Sequence, residues 1–371
     1  MKAEIIKVKA KNTNYNVHIG YNNFSDIINL IEENKLSKKI FALIDKSVFN
    51  AHKLKIIETF IDVEKFEYVI FEPHESKKNI DSILSIYTKI LAKKFSRECT
   101  FVAIGGGIVG DLFGFVAATF MRGVNYIQVP TTVLSCVDSS IGGKTGFNFL
   151  SYKNIIGSIF QPSFVLIDTQ FLTSLKKNQV INGIGEIVKT CFLIGKPQVT
   201  EFSEKIDRLI ECDNTVMTTF IKECVKFKAG IVTVDEKETL GMRKILNLGH
   251  TFAHAIEKET NFKVQHGEAV IIGIVCSLYL SFELKFLDNN MLIESLEVFD
   301  KLYPYIRFNS FDVDKVYNAM KQDKKNKDNS IRFVLLKDYG QTLVDIEADK
   351  RDVVYAINQG IEFFNRKTNN G

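Results

Sequence analysis

Read as a succession of apolar and polar positions, the first half of the chain is a series of short strands separated by helical spacings. Lys39 to Asp45 (KIFALID) is an apolar run that ends in an acid, and Phe66 to Phe71 (FEYVIF) and Thr100 to Ile104 (TFVAI) repeat the form. Between the last two, Ile83 to Lys93 carries its apolar residues at the period of a helix. Strands alternating with helices predict a parallel sheet covered on both faces. From about residue 178 the period lengthens. Glu186 to Leu193, Thr215 to Thr233, Thr251 to Glu259 and Glu268 to Leu284 read as helices, with Ile331 to Leu336 the one clear strand signal. The expected fold class is an α/β amino-terminal domain with a parallel sheet over residues 1–178, followed by an all-α carboxyl-terminal domain over residues 179–371. The opening MKAEIIKVKAKN alternates like a strand and lacks the apolar core of a signal peptide, and the tail from Asn365 to Gly371 reads as disordered.

Composition narrows this picture in three places. With 46% apolar and 25% charged residues the chain is too hydrophobic for disorder, and its net charge of +4 is spread thinly. Neither a nucleic-acid nor a membrane partner is expected. Ala269 to Phe282, the longest apolar run, is too short to span a bilayer and reads as a buried helix. Six scattered cysteines without a CxxC pair suit a reduced, cytoplasmic protein.

Ile104 ends a strand and is followed by GGGIVGDLFGF, in which Gly105, Gly107 and Gly110 satisfy GxGxxG. Such glycines let the backbone approach a pyrophosphate, whose charge is favoured at the next helix amino terminus. The turn lies in mid-sheet rather than after the first strand, so the ribose acid must come from elsewhere. Asp45 is the natural candidate, and it reads equally well as a solvated turn carboxylate.

Of six histidines, His250, His254 and His266 fall in one stretch. His250 and His254 are four apart, so on a helix they share a face, and spacing alone nominates them together as metal ligands. Glu186, opening an apolar helix with Lys189 on the same face, is a candidate third ligand. Between Arg122 and Asn154, the cations Arg122, Lys144 and Lys153 stand among glycines and small polar residues, with Asp138 in an otherwise apolar stretch. Pro130-Thr131-Thr132 follows a strand, where α/β enzymes place ligands. This density of cations and small polar groups suits a phosphorylated ligand, although surface turns have the same look. Lys321 to Asp328 reads as a solvated basic turn.

Taken together, GGGIVGDLFGF, MRGV, VPTTVLSCVDSSIGGKTGFN, KNIIGSIFQP, GEIVK, LNLGHTFAHAIE, HGEAV and DKK resemble the 3-dehydroquinate synthase family of sugar-phosphate cyclases, in order from about Glu75 to Leu336. The resemblance implies an NAD-binding amino-terminal domain and a metal-binding helical carboxyl-terminal one, with NAD and one zinc or cobalt ion as cofactors. It assigns Glu186, His250 and His266 to the metal and moves His254 to the substrate. For NAD it implies Asp45, Glu75, Lys78, Gly106, Gly107, Asp111, Thr131, Thr132, Lys144, Lys153, Phe171 and Ser174. For the substrate it implies Asp138, Lys144, Asn154, Lys189, Lys228, Arg243, Asn247 and His254, with Arg122 and one of Lys324 or Lys325 holding the phosphate.

The implied reaction converts 3-deoxy-D-arabino-heptulosonate 7-phosphate to 3-dehydroquinate and phosphate. It proceeds by NAD-mediated oxidation, phosphate elimination, reduction, ring opening and aldol closure, in a homodimer. Two departures border the pocket: Phe149-Leu150-Ser151-Tyr152 replaces the usual His-Pro-Leu-Gly, and Gly185 stands where alanine is usual. Cyclases making deoxyinosose or valiolone rings are the alternative, although Asn247 and His254 favour dehydroquinate. A metal-dependent NAD polyol dehydrogenase, which would accumulate NADH, and a catalytically dead binding homologue are the other readings.

Overall fold

The apolar runs of the first half become the central strands of a sheet. The computed structural model describes residues 4–10, 13–150, 152–236, 238–306, 311–321 and 330–365. Along the first half run β1 (Glu4–Lys9), β2 (Asn14–Gly20), α1 (Ile27–Glu33), β3 (Lys39–Asp45), α2 (Lys46–Thr59), β4 (Lys65–Phe71), α3 (Ile80–Ala92), β5 (Thr100–Gly105), α4 (Gly107–Thr119), β6 (Asn125–Pro130), β7 (Lys144–Phe149), β8 (Tyr152–Ile159) and β9 (Phe164–Asp168). Seven strands pair in the order β1-β2-β9-β6-β5-β3-β4, antiparallel only between β1 and β2.

Because successive side chains point to opposite faces, each strand feeds two cores. Ile40, Ala42 and Ile44 of β3 pack with α1 and α2, whereas Phe41 and Leu43 pack with α3 and α4. The chain runs from β3 outward to β4, then returns to the other side of β3 as β5. The strand order therefore reverses at β3 and β5, and the crevice at their carboxyl ends is where open α/β sheets bind ligands. Asp45 and the Gly105–Gly107 turn sit at those two ends.

Cα packing divides the chain into two units, Met1–Lys176 with Asn214–Thr239, and Lys177–Asp213 with Leu240–Gly371. After α5 (Lys177–Ile194) and α6 (Lys196–Ile210), the chain rejoins the first unit as α7 (Asn214–Val234), which packs on β1 and β2. The apolar period of Thr215 to Thr233 identifies this helix but not the surface that covers it. The second unit continues with α8 (His250–Glu259), α9 (His266–Glu283), α10 (Asn289–Glu297), α11 (Val313–Lys321), the antiparallel ribbon β10 (Phe333–Asp338) and β11 (Gln341–Ile346), and α12 (Lys350–Asn365). It is thus helical apart from one ribbon, whose first strand is the Ile331 to Leu336 signal. Among the described residues, α9 is the one helix long and apolar enough to cross a membrane, yet 83% of its apolar window is buried in the protein. It is the core of the second unit, packed by α5, α8 and α12. The six cysteines are thiols, and all but Cys212 are buried.

Candidate active site

In the first unit the nucleotide candidates gather at the strand ends. Gly106 precedes α4 without a side-chain cap, so the first amides of α4 face outward with no partner inside the helix. A Cβ on Gly106 would lie 3.1 Å from Thr132 Cγ2, and one on Gly107 3.0 Å from Ser139 Oγ, so glycine keeps this approach clear. Thr131 is fully buried beside them, its N–H donating to the Gly105 carbonyl at 3.0 Å and its hydroxyl without a partner. Asp45 caps α2, accepting from the Ser47 N–H at 2.7 Å. Burial pushes its carboxyl above the usual aspartate range, against the amides of Ser47 and Val48. Lys78, buried, places its ammonium 2.5 Å from both Asp111 Oδ2 and Asn154 Oδ1. Burial raises the Asp111 carboxyl and Lys78 opposes that rise.

Phe171 is fully buried in the core, with the Lys55 ammonium 5.3 Å from its ring centroid. Any contact it makes with a nucleotide therefore falls to its backbone. Ser174 Oγ donates to the Phe171 carbonyl at 2.9 Å and meets His52 Nε2 at 3.0 Å.

The substrate candidates of this unit are also built into pairs. Asp138 lies on one turn of π-helix, Ser135–Ser139, an uncommon geometry that recurs at functional sites. Lys228 on α7 donates to both its carbonyl oxygen and its Oδ1, each at 2.6 Å. Lys144 is exposed and pairs with Glu238, a residue the motifs did not single out because it lies in a charged run that reads as surface. Lys153 is exposed on β8. Arg122 is held between Met121 and Gly123, and all three have positive φ (47°, 66° and 115°). Such backbone costs about 1 kcal/mol or more per non-glycine residue and clusters at functional sites.

In the second unit Glu186, His250 and His266 come together from α5, α8 and α9, with ligand atoms all within 4.8 Å of one another. Both imidazoles present Nε2 at 3.5 Å from Glu186 Oε1. Their other nitrogens are held from behind: His250 Nδ1 by the Leu248 carbonyl at 3.2 Å, His266 Nδ1 by Glu257 Oε2 at 3.3 Å. Metal-binding histidines are oriented in this way. Glu186 Oε1 is buried without a hydrogen-bond partner, and its other oxygen pairs with Lys189. A buried carboxylate oxygen without a hydrogen-bond partner, facing two imidazole nitrogens, fits a divalent cation.

The electrostatics of this cluster separate its two imidazoles. Although burial opposes ionisation, Lys189 and then the imidazoles hold Glu186 well below the usual carboxylate range. Burial, then Lys189, keeps His250 neutral, as a ligand must be. Burial opposes the charged form of His266 as well, but the Glu186 and Glu257 carboxylates outweigh it and raise the imidazole to about 10, so a cation bound here must displace a proton from His266.

Local sequence explains the convergence. Gln265 and Glu268 form a capping box that starts α9 at His266. A Cβ on Gly267 would fall 1.7 Å from the Asn182 carbonyl oxygen, and one on Gly185 2.3 Å from the Gly267 carbonyl oxygen. These two glycines let α5 and α9 cross almost backbone to backbone, which sets Glu186 beside His266. The departure Gly185 thus has a packing reason in this chain.

His254, nominated with His250 by spacing, lies 5.4 Å from His250 between ring centroids but is not grouped with Glu186. Its ligand atom groups with those of Glu257 and His266, and Glu257 is already engaged by His266. Arg243 is buried, 4% exposed, on a 3₁₀ segment, Met242–Asn247. At three residues per turn, Arg243 and Asn247 do not stack on one face as an α-helix would place them. Lys324 and Lys325 lie outside the described residues, as does the tail from residue 366.

Two family models cover most of the chain, 3-dehydroquinate synthase N-terminal over residues 68–182 and 3-dehydroquinate synthase C-terminal over residues 183–326. The chain belongs to the 3-dehydroquinate synthase family. A 3-dehydroquinate synthase of Clostridium tetani is 35% identical over 360 residues, 96% of this chain and 95% of that protein. The fold is shared with a 2-deoxy-scyllo-inosose synthase solved with carbaglucose-6-phosphate, NAD+ and Co2+ (TM-score 0.88, 22% identity, 96% of this chain and 100% of that one). It is shared as well with a 2-epi-5-epi-valiolone synthase of Streptomyces hygroscopicus subsp. jinggangensis 5008 solved with NAD+ and Zn2+ (TM-score 0.85, 23% identity, 95% and 98%). The motifs that suggested the family span both matched regions.

Proposed function

We propose that the chain converts 3-deoxy-D-arabino-heptulosonate 7-phosphate to 3-dehydroquinate and phosphate, using NAD and one zinc or cobalt ion. The observation that carries this reading is the partnerless buried oxygen of Glu186 between two imidazole Nε2 atoms, in a chain of this family. Glu186, His250 and His266 would hold the metal; the strand ends with Gly106, Gly107, Asp45, Glu75, Lys78, Asp111, Thr131 and Thr132 would hold the nucleotide. When bound, NAD supplies a reversible hydride acceptor and the metal acidifies a substrate hydroxyl.

The remaining work falls to side chains. In the first unit, Asp138 and Lys228 form a pair that can pass or hold a proton at the substrate, and Arg122 and Lys144 supply phosphate-binding charge. In the second unit, Lys189, Asn247 and His254 orient the substrate, and the Arg243 guanidinium grips its carboxylate. Reduced, cytoplasmic surroundings suit the buried cysteine thiols. A homodimer is the expected assembly.

The test is phosphate release by the purified zinc-loaded protein with catalytic NAD. The heptulosonate phosphate should support many turnovers with no lasting NADH absorbance. Stoichiometric NADH would promote the polyol dehydrogenase. Carbocycle formation from glucose 6-phosphate or sedoheptulose 7-phosphate, with none from the heptulosonate, would move the chain to the deoxyinosose or valiolone type.

A further inference from the structure

The β7–β8 hairpin departs from regular pairing at one place. Phe147 pairs with Ile156 and Phe149 with Tyr152, so Asn148 alone stands opposite the three residues 153–155 and the register shifts by two. A bulge of this kind frees backbone groups from the ladder and re-aims side chains beside functional sites. Here the freed N–H is that of Asn154, whose φ of 48° is left-handed, a conformation asparagine tolerates better than most residues. The side chain of Asn148 captures it, Oδ1 accepting from the Asn154 N–H at 2.9 Å.

The same amide faces the other way as well. Its Nδ2 donates to Glu75 Oε1 at 2.7 Å, and its backbone N–H donates to the Lys78 carbonyl at 2.8 Å. Lys78 in turn holds Asn154 Oδ1 and Asp111 with its ammonium. Glu75 and Lys78 are assigned to the nucleotide and Asn154 to the substrate, whereas Asn148 carries no such assignment.

We propose that Asn148 is a positioning residue that ties the nucleotide-side carboxylate of Glu75 to the substrate-side Asn154. The two roles it connects rest on the cyclase reading given above. Its two polar atoms are used in opposite senses, one donating and one accepting, and only an amide fills both places. Aspartate, of the same shape, still accepts from the Asn154 N–H but sets a second carboxylate against Glu75. The Asn148→Asp variant should therefore loosen Glu75 while leaving the hairpin folded.

The experiment is a double-mutant cycle on NAD affinity, read by calorimetry on zinc-loaded protein without substrate, so it stands apart from any failure of the turnover assay. Asn148→Asp and Glu75→Gln should each weaken NAD about tenfold, the scale of one hydrogen bond to a charged group, and the double variant about tenfold rather than a hundredfold. Kinetics add a second reading, because kcat should fall in Asn148→Asp with zinc content unchanged. Additive losses in the cycle, or wild-type NAD affinity in Asn148→Asp, would overturn the proposal. If Asn148→Asp does not fold, Asn148→Ser must show the same non-additivity with Glu75→Gln, and additivity there would also sink it.

Discussion

The two units build their candidate sites from different materials. At the carboxyl ends of β3 and β5 the chain offers mostly backbone, the first amides of α4 and a turn kept open by Gly106 and Gly107. The cluster of the second unit is all side chain, a carboxylate and two imidazoles from three helices, each held from behind. A backbone site is fixed by topology, so one side-chain change leaves most of it standing. A side-chain site depends on the distance between helices, and single substitutions there should cost more.

The largest contrast lies in the ligands. His266→Ala should lower zinc affinity by more than the about 10–100-fold that an outer-shell partner costs, and abolish turnover with it. His254→Ala should keep its zinc and lose activity alone. Metal analysis of the two variants decides between them, and the reverse pattern would restore the spacing-based pair of His250 and His254. In the first unit no single replacement, Gly106→Ala included, should remove NAD binding to that degree.

Arg243→Lys tests the second unit at its proposed substrate end. A guanidinium grips a carboxylate through paired hydrogen bonds that an ammonium cannot reproduce. The variant should lose about 1–3 kcal/mol of transition-state binding in kcat/KM, with zinc and NAD affinities unchanged. An equal fall in zinc content would make Arg243 a structural residue of the cluster instead.

The glycines sharpen the comparison at the level of packing. Gly185→Ala restores the residue usual in the family, but its Cβ would lie 2.3 Å from the Gly267 carbonyl oxygen. Backbone cannot swing aside, so α5 and α9 must separate, at about 1–3 kcal/mol. Gly106→Ala meets only a Thr132 methyl at 3.1 Å and should cost less stability than that. Thermal melts of both variants, with zinc titration of the first, measure the difference, and equal melting temperatures would refute it.

This contrast also explains what the sequence makes legible. The runs of β3 and β5 declare themselves because a parallel strand buried on both faces must be apolar throughout. The helices α8 and α9 declare themselves by period. Spacing cannot say which histidine joins Glu186, because that depends on the glycine crossing of α5 and α9, a tertiary fact with no periodic signature. The resemblance supplies that ligand set where periodicity does not. The hairpin of β7 and β8 reads as turns, since Ile155, Ile156 and Ile159 are exposed and no alternation marks a buried face. For a similar reason Glu238 looks like surface charge until its pairing with Lys144 is seen.

The smallest expected effect is a pH dependence confined to the first unit. Burial raises the Asp45 carboxyl above the usual aspartate value of 3.8, so between that value and the raised one the folded chain holds a proton that the unfolded chain has released. Stability must then fall as pH rises through this window, and remain at the lower level above it. A nucleotide whose ribose hydroxyls donate to Asp45 favours the ionised form, so NAD affinity should climb over the same window and level off. Asp45→Asn keeps the cap on α2, since asparagine caps as well as aspartate, but it has no proton to lose. Its NAD affinity should be lower at neutral pH and flat where the parent's rises, and its melting temperature should not share the parent's decline. Calorimetric titrations of both proteins across the acid range make the test. Parallel curves would remove Asp45 from the nucleotide site and leave it as the cap of α2 alone.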